Sequence, residues 1–236
     1  MKNHRIIIVI PAYNEDKNIL KTYKSIVDYN KKHKSNYDVV VINDGSTDDT
    51  EKVLNDNNIP HIKLIKNLGI GGAVQTGYKY ALENGYDIAI QFDGDGQHDI
   101  NSIDDVVKPI VDGKSNMVIG SRFIKNTANF KSTKARRIGI KIISNVIKFK
   151  TGIRIKDTTS GYRAIDKNII KLFAHDYPVE YPEPISTVNA IKNGYKVVEV
   201  HANMFERKAG KSSISSWKNI YYMINVILSI LIQGGK

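Results

Sequence analysis

The chain has 236 residues and a mass of 26.5 kDa, room for one domain with a full hydrophobic core. Hydrophobic residues make up 41% and charged residues 25%, ordinary globular usage that excludes a disordered chain, a collagen-like repeat and a membrane-embedded bundle. The formal charge of +11 is concentrated: residues 108–156 hold 13 of the 35 Lys and Arg but one of the 24 acids, Asp112, so this stretch carries +12 and the remainder −1.

In chain order, the β-branched run from Ile6 to Ile10, closed by Pro11, has the pattern of a buried strand. It is too short to cross a bilayer and lacks the small-residue cleavage site of a secretion signal, so a cytosolic start is expected. Helix-compatible stretches follow at residues 16–32, 48–55 and 73–83, the last closed by Asn84-Gly85. They alternate with apolar runs at residues 39–42, 62–65, 88–92, 117–119 and 196–200. Continuous rather than alternating hydrophobicity in these runs predicts an α/β domain, with a mostly parallel central sheet flanked by helices. Ligands of such sheets bind beyond the carboxyl ends of the strands. Three strands run into polar, carboxylate-bearing loops: Pro11-Ala12-Tyr13-Asn14-Glu15, residues 43–48, and residues 93–99.

Farther on, residues 134–150 read as a basic amphipathic helix. At about 100° per residue Lys134, Arg137, Lys141 and Lys148 share a narrow arc, with Ile138, Ile142, Val146 and Phe149 beside it. Residues 219–235 are 17 positions without a charge, short of the ~20 apolar residues of a bilayer span and interrupted by Asn225 and Ser229. A core helix, an interfacial helix and a helix docking on a membrane partner are all open for this stretch.

Among the polar loops, Asp93-Gly94-Asp95 at a strand end carries the strongest chemical signal. Two carboxylates one residue apart can both turn toward a hard divalent cation that keeps open positions for diphosphate oxygens. The glycine-rich stretch Gly69-Ile70-Gly71-Gly72-Ala73-Val74 fails the dinucleotide fingerprint, because Val74 occupies the third glycine position and the stretch follows the third strand. It reads either as a close helix-to-sheet packing turn or as a ligand contact. There is no phosphate-cradling P-loop and no serine-hydrolase elbow. The absence of cysteine excludes disulfides and thiolate metal sites. The six His show no metal-ligand spacing, and His98 reads as a loop residue. Downstream, Gly120-Ser121-Arg122, residues 157–163 and residues 207–213 combine arginine forks with Ser and Gly, suited to a bulky phosphorylated anion.

Taken together, Pro11-Ala12-Tyr13-Asn14-Glu15, Asn43-Asp44-Gly45-Ser46, Asn67-Leu68-Gly69-Ile70-Gly71, Asp93-Gly94-Asp95-Gly96-Gln97, Ser121-Arg122, the run from Asp157 to Arg163, and Arg207 with Gly210 and Ser212 resemble the family 2 glycosyltransferases of the GT-A fold. The branch they resemble is that of the dolichyl- and undecaprenyl-phosphate sugar synthases. The resemblance implies a GT-A domain over residues 1–213, containing a membrane- and acceptor-facing segment at about 122–156, followed by an apolar helix at 214–236. It implies that Pro11, Ala12, Tyr13, Glu15, Ile42 and Asp44 hold the donor's base and ribose, and that Asp93 and Gly94 contact the donor. Asp95 and Gln97 would bind Mg²⁺ or Mn²⁺, and Arg122 and Arg207 would grip phosphate. Asp157 stands beside the acceptor and is grouped with Asp93 and Asp95 as catalytic; Arg136, Arg137, Ser160, Gly161, Arg163 and Ser212 line the acceptor side. Ser213 stands where relatives often carry Lys, with Lys208 and Lys211 the nearby cations. The acidic pair of processive relatives is not evident, which implies a single sugar transfer.

The implied reaction is an inverting transfer of one hexose from a UDP- or GDP-sugar to polyprenyl (undecaprenyl) phosphate at the cytoplasmic face of the membrane. A phosphate monoester with a second pKa of roughly 6 is already a nucleophile at pH 7, so Asp157 is expected to orient the acceptor and to act as a base only toward a hydroxyl. The same fold transferring sugar to a glycan hydroxyl is the alternative, but it explains neither the basic segment nor its amphipathic helix. A nucleic-acid module is disfavoured because Phe123, Phe130 and Phe149 are the only aromatics of the basic stretch. The expected partners are the nucleotide-sugar, the lipid phosphate and an anionic membrane surface, with a small membrane protein and a second copy of the chain left open.

Overall fold

The structure, a computed structural model, describes residues 4–124, 134–205 and 216–232. One seven-stranded sheet has the order β3-β2-β1-β4-β6-β5-β7. Central β1 (Ile6–Ala12) pairs in parallel with β2 (Tyr37–Asn43) and β4 (Ile88–Gln91), and β3 (His61–Lys63) extends the sheet beyond β2. On the other side, β6 (Arg163–Asp166) runs antiparallel to both β4 and β5 (Met117–Ser121), while the edge strand β7 (Val197–His201) is parallel to β5. The sheet is therefore mostly parallel, as expected, with β6 as its one reversed strand. β6 has no sequence signal: it is four residues long and begins and ends on charged groups.

The continuous hydrophobicity of β1 has a direct cause in the pleat. Successive side chains point to opposite faces, and helices cover both. Ile7 and Val9 enter a core with Val74 and Tyr78 of α3 (Gly69–Glu83) and Phe173 of α6 (Lys167–His175). Ile6, Ile8 and Ile10 enter a second core with Ile26 of α1 (Ile19–His33) and Val107 of α4 (Ile103–Val111). The short α2 (Thr50–Asp56) lies between β2 and β3 in the chain.

Two glycines of α3, Gly71 within the glycine-rich stretch and Gly77 one turn after it, are close packing points. A Cβ at Gly77 would stand 2.1 Å from Val9 Cγ1, and one at Gly71 would stand 2.4 Å from the Val179 carbonyl oxygen. α3 therefore presses on β1 and on the chain after α6 through positions that lack a side chain. The helix starts four residues before the expected Ala73 for the same reason. α4 carries Pro109 in its interior and α7 (Pro182–Lys192) opens on Pro182, signals that hide helices in a sequence. α6 is capped by Asp166, whose carboxylate accepts the Ile169 N–H at 3.0 Å.

α5 (Lys134–Thr151) and α8 (Ser216–Ile232) pack side by side. A Cβ at Gly139 of α5 would stand 2.2 Å from Met223 Sδ, and Lys150 Nζ donates to the Leu231 carbonyl at 2.9 Å. α5 buries Ile140, Ile143 and Ile147, and α8 buries Val226 and Ile230. Ile138, Ile142 and Phe149 stay outside beside the basic arc, with Phe149 82% exposed, and Ile224, Leu228 and Leu231 are exposed on α8. Among the described residues no helix is long and apolar enough to cross a membrane.

Candidate active site

The parallel strands bring the loops after β1, β2 and β4 to one edge of the sheet. After β1, Asn14 takes a left-handed conformation, with φ 57°, and turns the chain so that the Glu15 N–H donates to Thr50 Oγ1 at 2.9 Å. Glu15 Oε2 accepts from Asn18 at 2.8 Å, and Tyr13 remains exposed. After β2, Asp44 is buried; its N–H donates to the Ala12 carbonyl at 2.8 Å and its Oδ1 accepts the Leu68 N–H at 2.7 Å. Burial pushes the Asp44 carboxyl above its ordinary value, an effect that the Leu68 and Gly69 amides offset only in part. Tyr13, Glu15 and Asp44 thus belong to one interlocked pair of loops. Ile42 is completely buried in the core cluster, and Pro11 and Ala12 are buried at the end of β1.

After β4, the His98 ring fastens Asp93 at both ends. The Asp93 N–H donates to Nδ1 at 3.1 Å, so Nδ1 is unprotonated and the proton sits on Nε2, 3.4 Å from Asp93 Oδ2. The ring stacks on Tyr162, with centroids 4.7 Å apart, and meets Phe92 edge-on. Burial holds the imidazole neutral, pulling its pKa from 6.5 to about 4, so the approach to Asp93 is a contact of a neutral ring and not an ion pair. His98 is therefore part of the site and not an idle loop residue. Gly94 passes close to β1, where a Cβ would stand 3.2 Å from the Pro11 carbonyl oxygen. Asp95 Oδ1 accepts the Gln97 N–H at 3.0 Å. Gln97 Nε2 donates to the Phe205 carbonyl at 3.2 Å, which commits the amide's nitrogen end and leaves its oxygen an acceptor of the hard type that divalent cations take.

The titration of His98 has a consequence for stability. Between pH 6.5 and about 4 the unfolded chain binds a proton at His98 that the folded chain does not, so acid removes stability across that window, up to about 3 kcal/mol. Thermal melts at pH 7 and pH 4.5 are expected to show a larger acid drop in the parent chain than in His98→Asn. Equal drops would contradict a neutral His98.

On the far side of the cavity, Arg122 and Asp157 form a bidentate pair. Arg122 donates from Nε to Asp157 Oδ2 at 2.7 Å, from Nη2 to Oδ1 at 2.6 Å, and from its backbone N–H to Oδ2 at 3.0 Å. Nη2 also donates to Thr159 Oγ1 at 3.1 Å. Asp157 is fully buried and does not line the cavity. Arg122 does reach the cavity, which it lines with Asp93, Gln97, His98, Ser160 and Gly161.

The run after Asp157 is spent mainly on shape. Ser160 Oγ donates to the Gly120 carbonyl at 2.6 Å. A Cβ at Gly161 would stand 2.9 Å from both Asp93 Oδ2 and Gln91 Nε2. Arg163 is buried, donating from Nε to the Ser160 carbonyl at 2.7 Å and from Nη1 to Ser186 Oγ at 3.0 Å. It pairs across the sheet with Gln91, and Arg163 Nη2 and Gln91 Oε1 have no hydrogen-bond partner among the described residues. Arg163 thus supports the cavity floor and does not line the cavity. Arg137 is exposed on α5. Arg207, Ser212, Ser213, Lys208 and Lys211, and the side chain of Arg136, lie outside the described residues.

Sequence reasoning read His98 only as a loop residue and Thr159 only as part of a polar run, and no local signal paired His98 with Asp93 or Thr159 with Arg122. Among the described residues no group of three or more His, Asp or Glu is gathered as a ready metal cage. Asp93, Asp95 and Gln97 nevertheless fit a hard divalent cation, being oxygen donors at one loop that require further oxygens, such as those of a diphosphate, to complete a shell.

Residues 7–173 match the family model described as Glycosyl transferase family 2. The chain is 34% identical over 221 residues to the UDP-N-acetylglucosamine–dolichyl-phosphate N-acetylglucosaminyltransferase of Methanococcus voltae, a match covering 85% of each protein. It is 29% identical to the polyprenol monophosphomannose synthase of Mycolicibacterium smegmatis, covering 89% of this chain and 81% of that protein. In three dimensions it is similar to glucosyl-3-phosphoglycerate synthase from Mycobacterium tuberculosis, solved with Mn²⁺, UDP and glucosyl-3-phosphoglycerate. That match has a TM-score of 0.69 at 16% identity and covers 99% of this chain and 81% of that one. The likeness is one of fold, the GT-A type of α/β domain.

Proposed function

The chain belongs to glycosyl transferase family 2, and from that premise we propose that it moves a single hexose from a UDP- or GDP-sugar to a polyprenyl phosphate, with inversion, at the cytoplasmic membrane surface. The two sequence relatives named above are by name a dolichyl-phosphate N-acetylglucosaminyltransferase and a polyprenol monophosphomannose synthase, which supports this acceptor class. The observation that carries the lipid acceptor is the α5–α8 pair. It exposes Ile138, Ile142 and Phe149 on α5, next to the exposed Arg137, Lys141 and Lys148 of the same helix, and Leu228 and Leu231 on α8, apolar side chains and cations that suit an anionic bilayer.

In this reading Tyr13, Glu15 and Asp44 hold the nucleoside, and Asp93 contacts the donor. Asp95 and Gln97 hold Mg²⁺ or Mn²⁺, which when bound neutralises charge on the diphosphate leaving group. Arg122 grips phosphate across the cavity from Asp93, with its guanidinium fixed by Asp157. The acceptor phosphate attacks the anomeric carbon from the face opposite the leaving group and needs no strong base near pH 7, since its second pKa is roughly 6. Arg207 is assigned to phosphate and Ser212, Arg136 and Arg137 to the acceptor, while Ser160, Gly161 and Arg163 shape the cavity.

The deciding experiment is a panel of nucleotide-sugars assayed with Mg²⁺ or Mn²⁺ and undecaprenyl phosphate. Release of nucleoside diphosphate that depends on the lipid is the expected result; release unaffected by the lipid rejects the acceptor assignment. For the membrane surface, Phe149→Ser is expected to weaken binding to anionic vesicles about tenfold or more, from burial of one aromatic side chain worth about 1.5–3 kcal/mol. A parent chain that does not bind such vesicles in flotation removes the membrane contact altogether.

A further inference from the structure

We propose that Glu199, which stands outside the cavity lining, is a positioning residue for Arg122 and acts through the backbone of Lys156 and Asp157. The inference rests on the reading of Arg122 as a phosphate-binding group. Glu199 lies on the edge strand β7, in register with Ile119 of β5, three residues before Arg122. Its Oε2 accepts the Lys156 N–H at 2.7 Å and its Oε1 accepts the Asp157 N–H at 2.8 Å. Among the described residues Glu199 forms no ion pair, so both oxygens of an anion are committed to two successive backbone amides.

Such a bidentate grip fixes the orientation of the two peptide units on either side of Lys156, and with it the direction from which the Asp157 side chain leaves the backbone. The buried carboxylate of Asp157 then takes three N–H groups of Arg122, and Thr159 shares Nη2. Two sets of charge-assisted hydrogen bonds, joined through the covalent frame of Asp157, thus connect the sheet edge to the guanidinium that lines the cavity. Their starting point also ties down the segment leaving α5, which turns at Gly152 with φ 74° and reaches Asp157 five residues later. Position 199 is where an acid is needed. A carboxylate offers acceptors to both amides, whereas a carboxamide of the same shape offers one and turns an N–H₂ toward the other donor.

The test is Glu199→Gln measured in two backgrounds. With Arg122 present, kcat/KM toward undecaprenyl phosphate is expected to fall about 10- to 100-fold, the scale of a misplaced binding group. In the Arg122→Ala background the same substitution is expected to change kcat/KM by less than about twofold, because the group it positions is gone. Equal fold-losses in both backgrounds overturn the proposal and leave Glu199 a general structural residue. Independently of turnover, the Arg122 Nε–H resonance of the full chain, assigned by its loss in Arg122→Ala, reports the bond to Asp157. It is expected to move toward the free-guanidinium position in Glu199→Gln. An unmoved signal also overturns the proposal, and it decides alone if the Arg122→Ala chain is too slow to assay. A shifted signal in a protein without lipid-dependent transfer would instead reject the acceptor reading and keep the link from Glu199 to Arg122.

Discussion

Asp157→Asn is expected to lower kcat/KM for sugar transfer about 100- to 1,000-fold, by removing the charge that holds Arg122. Breaking a buried ion pair from one side costs on the order of 3–5 kcal/mol, and each 1.36 kcal/mol lost from the transition state is tenfold in rate. The asparagine can accept one of the two guanidinium N–H groups that Asp157 now accepts from Nε and Nη2, and it turns an amide N–H₂ against the other. Part of the cost appears as a lower Tm, so the assay belongs well below the melting transition of the variant. The pH profile separates the two roles open to Asp157. If it orients Arg122, the residual rate of Asp157→Asn still rises through about pH 6 as the acceptor phosphate loses its second proton. Complete loss at every pH would assign Asp157 an obligatory base function, which its full burial argues against.

Gly161→Ala is the second large effect, and it dissociates activity from stability. The new methyl would stand 2.9 Å from Asp93 Oδ2 and 3.0 Å from Oδ1, closer than real Cβ contacts, so the carboxylate must move. The ends of two side chains yield instead of backbone, which keeps the folding cost small; the displaced group is the donor-contacting carboxylate of the proposed site. A misplacement of about 1 Å in such a group costs on the order of 10²-fold in rate. The expected outcome is kcat/KM reduced about 100-fold, with a Tm close to that of the parent. A variant of full activity would mean that Asp93 does not contact the reacting sugar, and a strongly reduced Tm would mean that Gly161 serves the fold.

The run from Ile6 to Ile10 could be read as a two-sided buried strand because each residue reports its own burial, and an unbroken apolar pattern has few other uses. The loops carrying Asp44, Asp93 and Asp95 followed from the rule for parallel sheets, since a strand's direction fixes which end its loop occupies. The amphipathic α5 was legible as amphipathic, but the apolar stripe read beside the basic arc was Ile138, Ile142, Val146 and Phe149. Packing against α8 at Gly139 put Ile140, Ile143 and Ile147 inside and left Ile138, Ile142 and Phe149 outside. β6 was hidden because its place depends on β4 and β5 as neighbours, not on its own four residues.

The amino-acid sequence by itself determined the α/β class, the sheet edge where polar loops gather, the candidate metal-binding loop and the basic segment. These depend on local periodicity and on residues within a few positions of one another. Only the tertiary structure decided that Arg122 and Asp157, 35 residues apart, are partners, that His98 is a neutral clamp on Asp93, and that Glu199 anchors the peptide before Asp157. Side-chain pairing across a fold is set by which loops the strand order brings together, and burial then sets the charge of each group; neither is encoded in spacing along the chain.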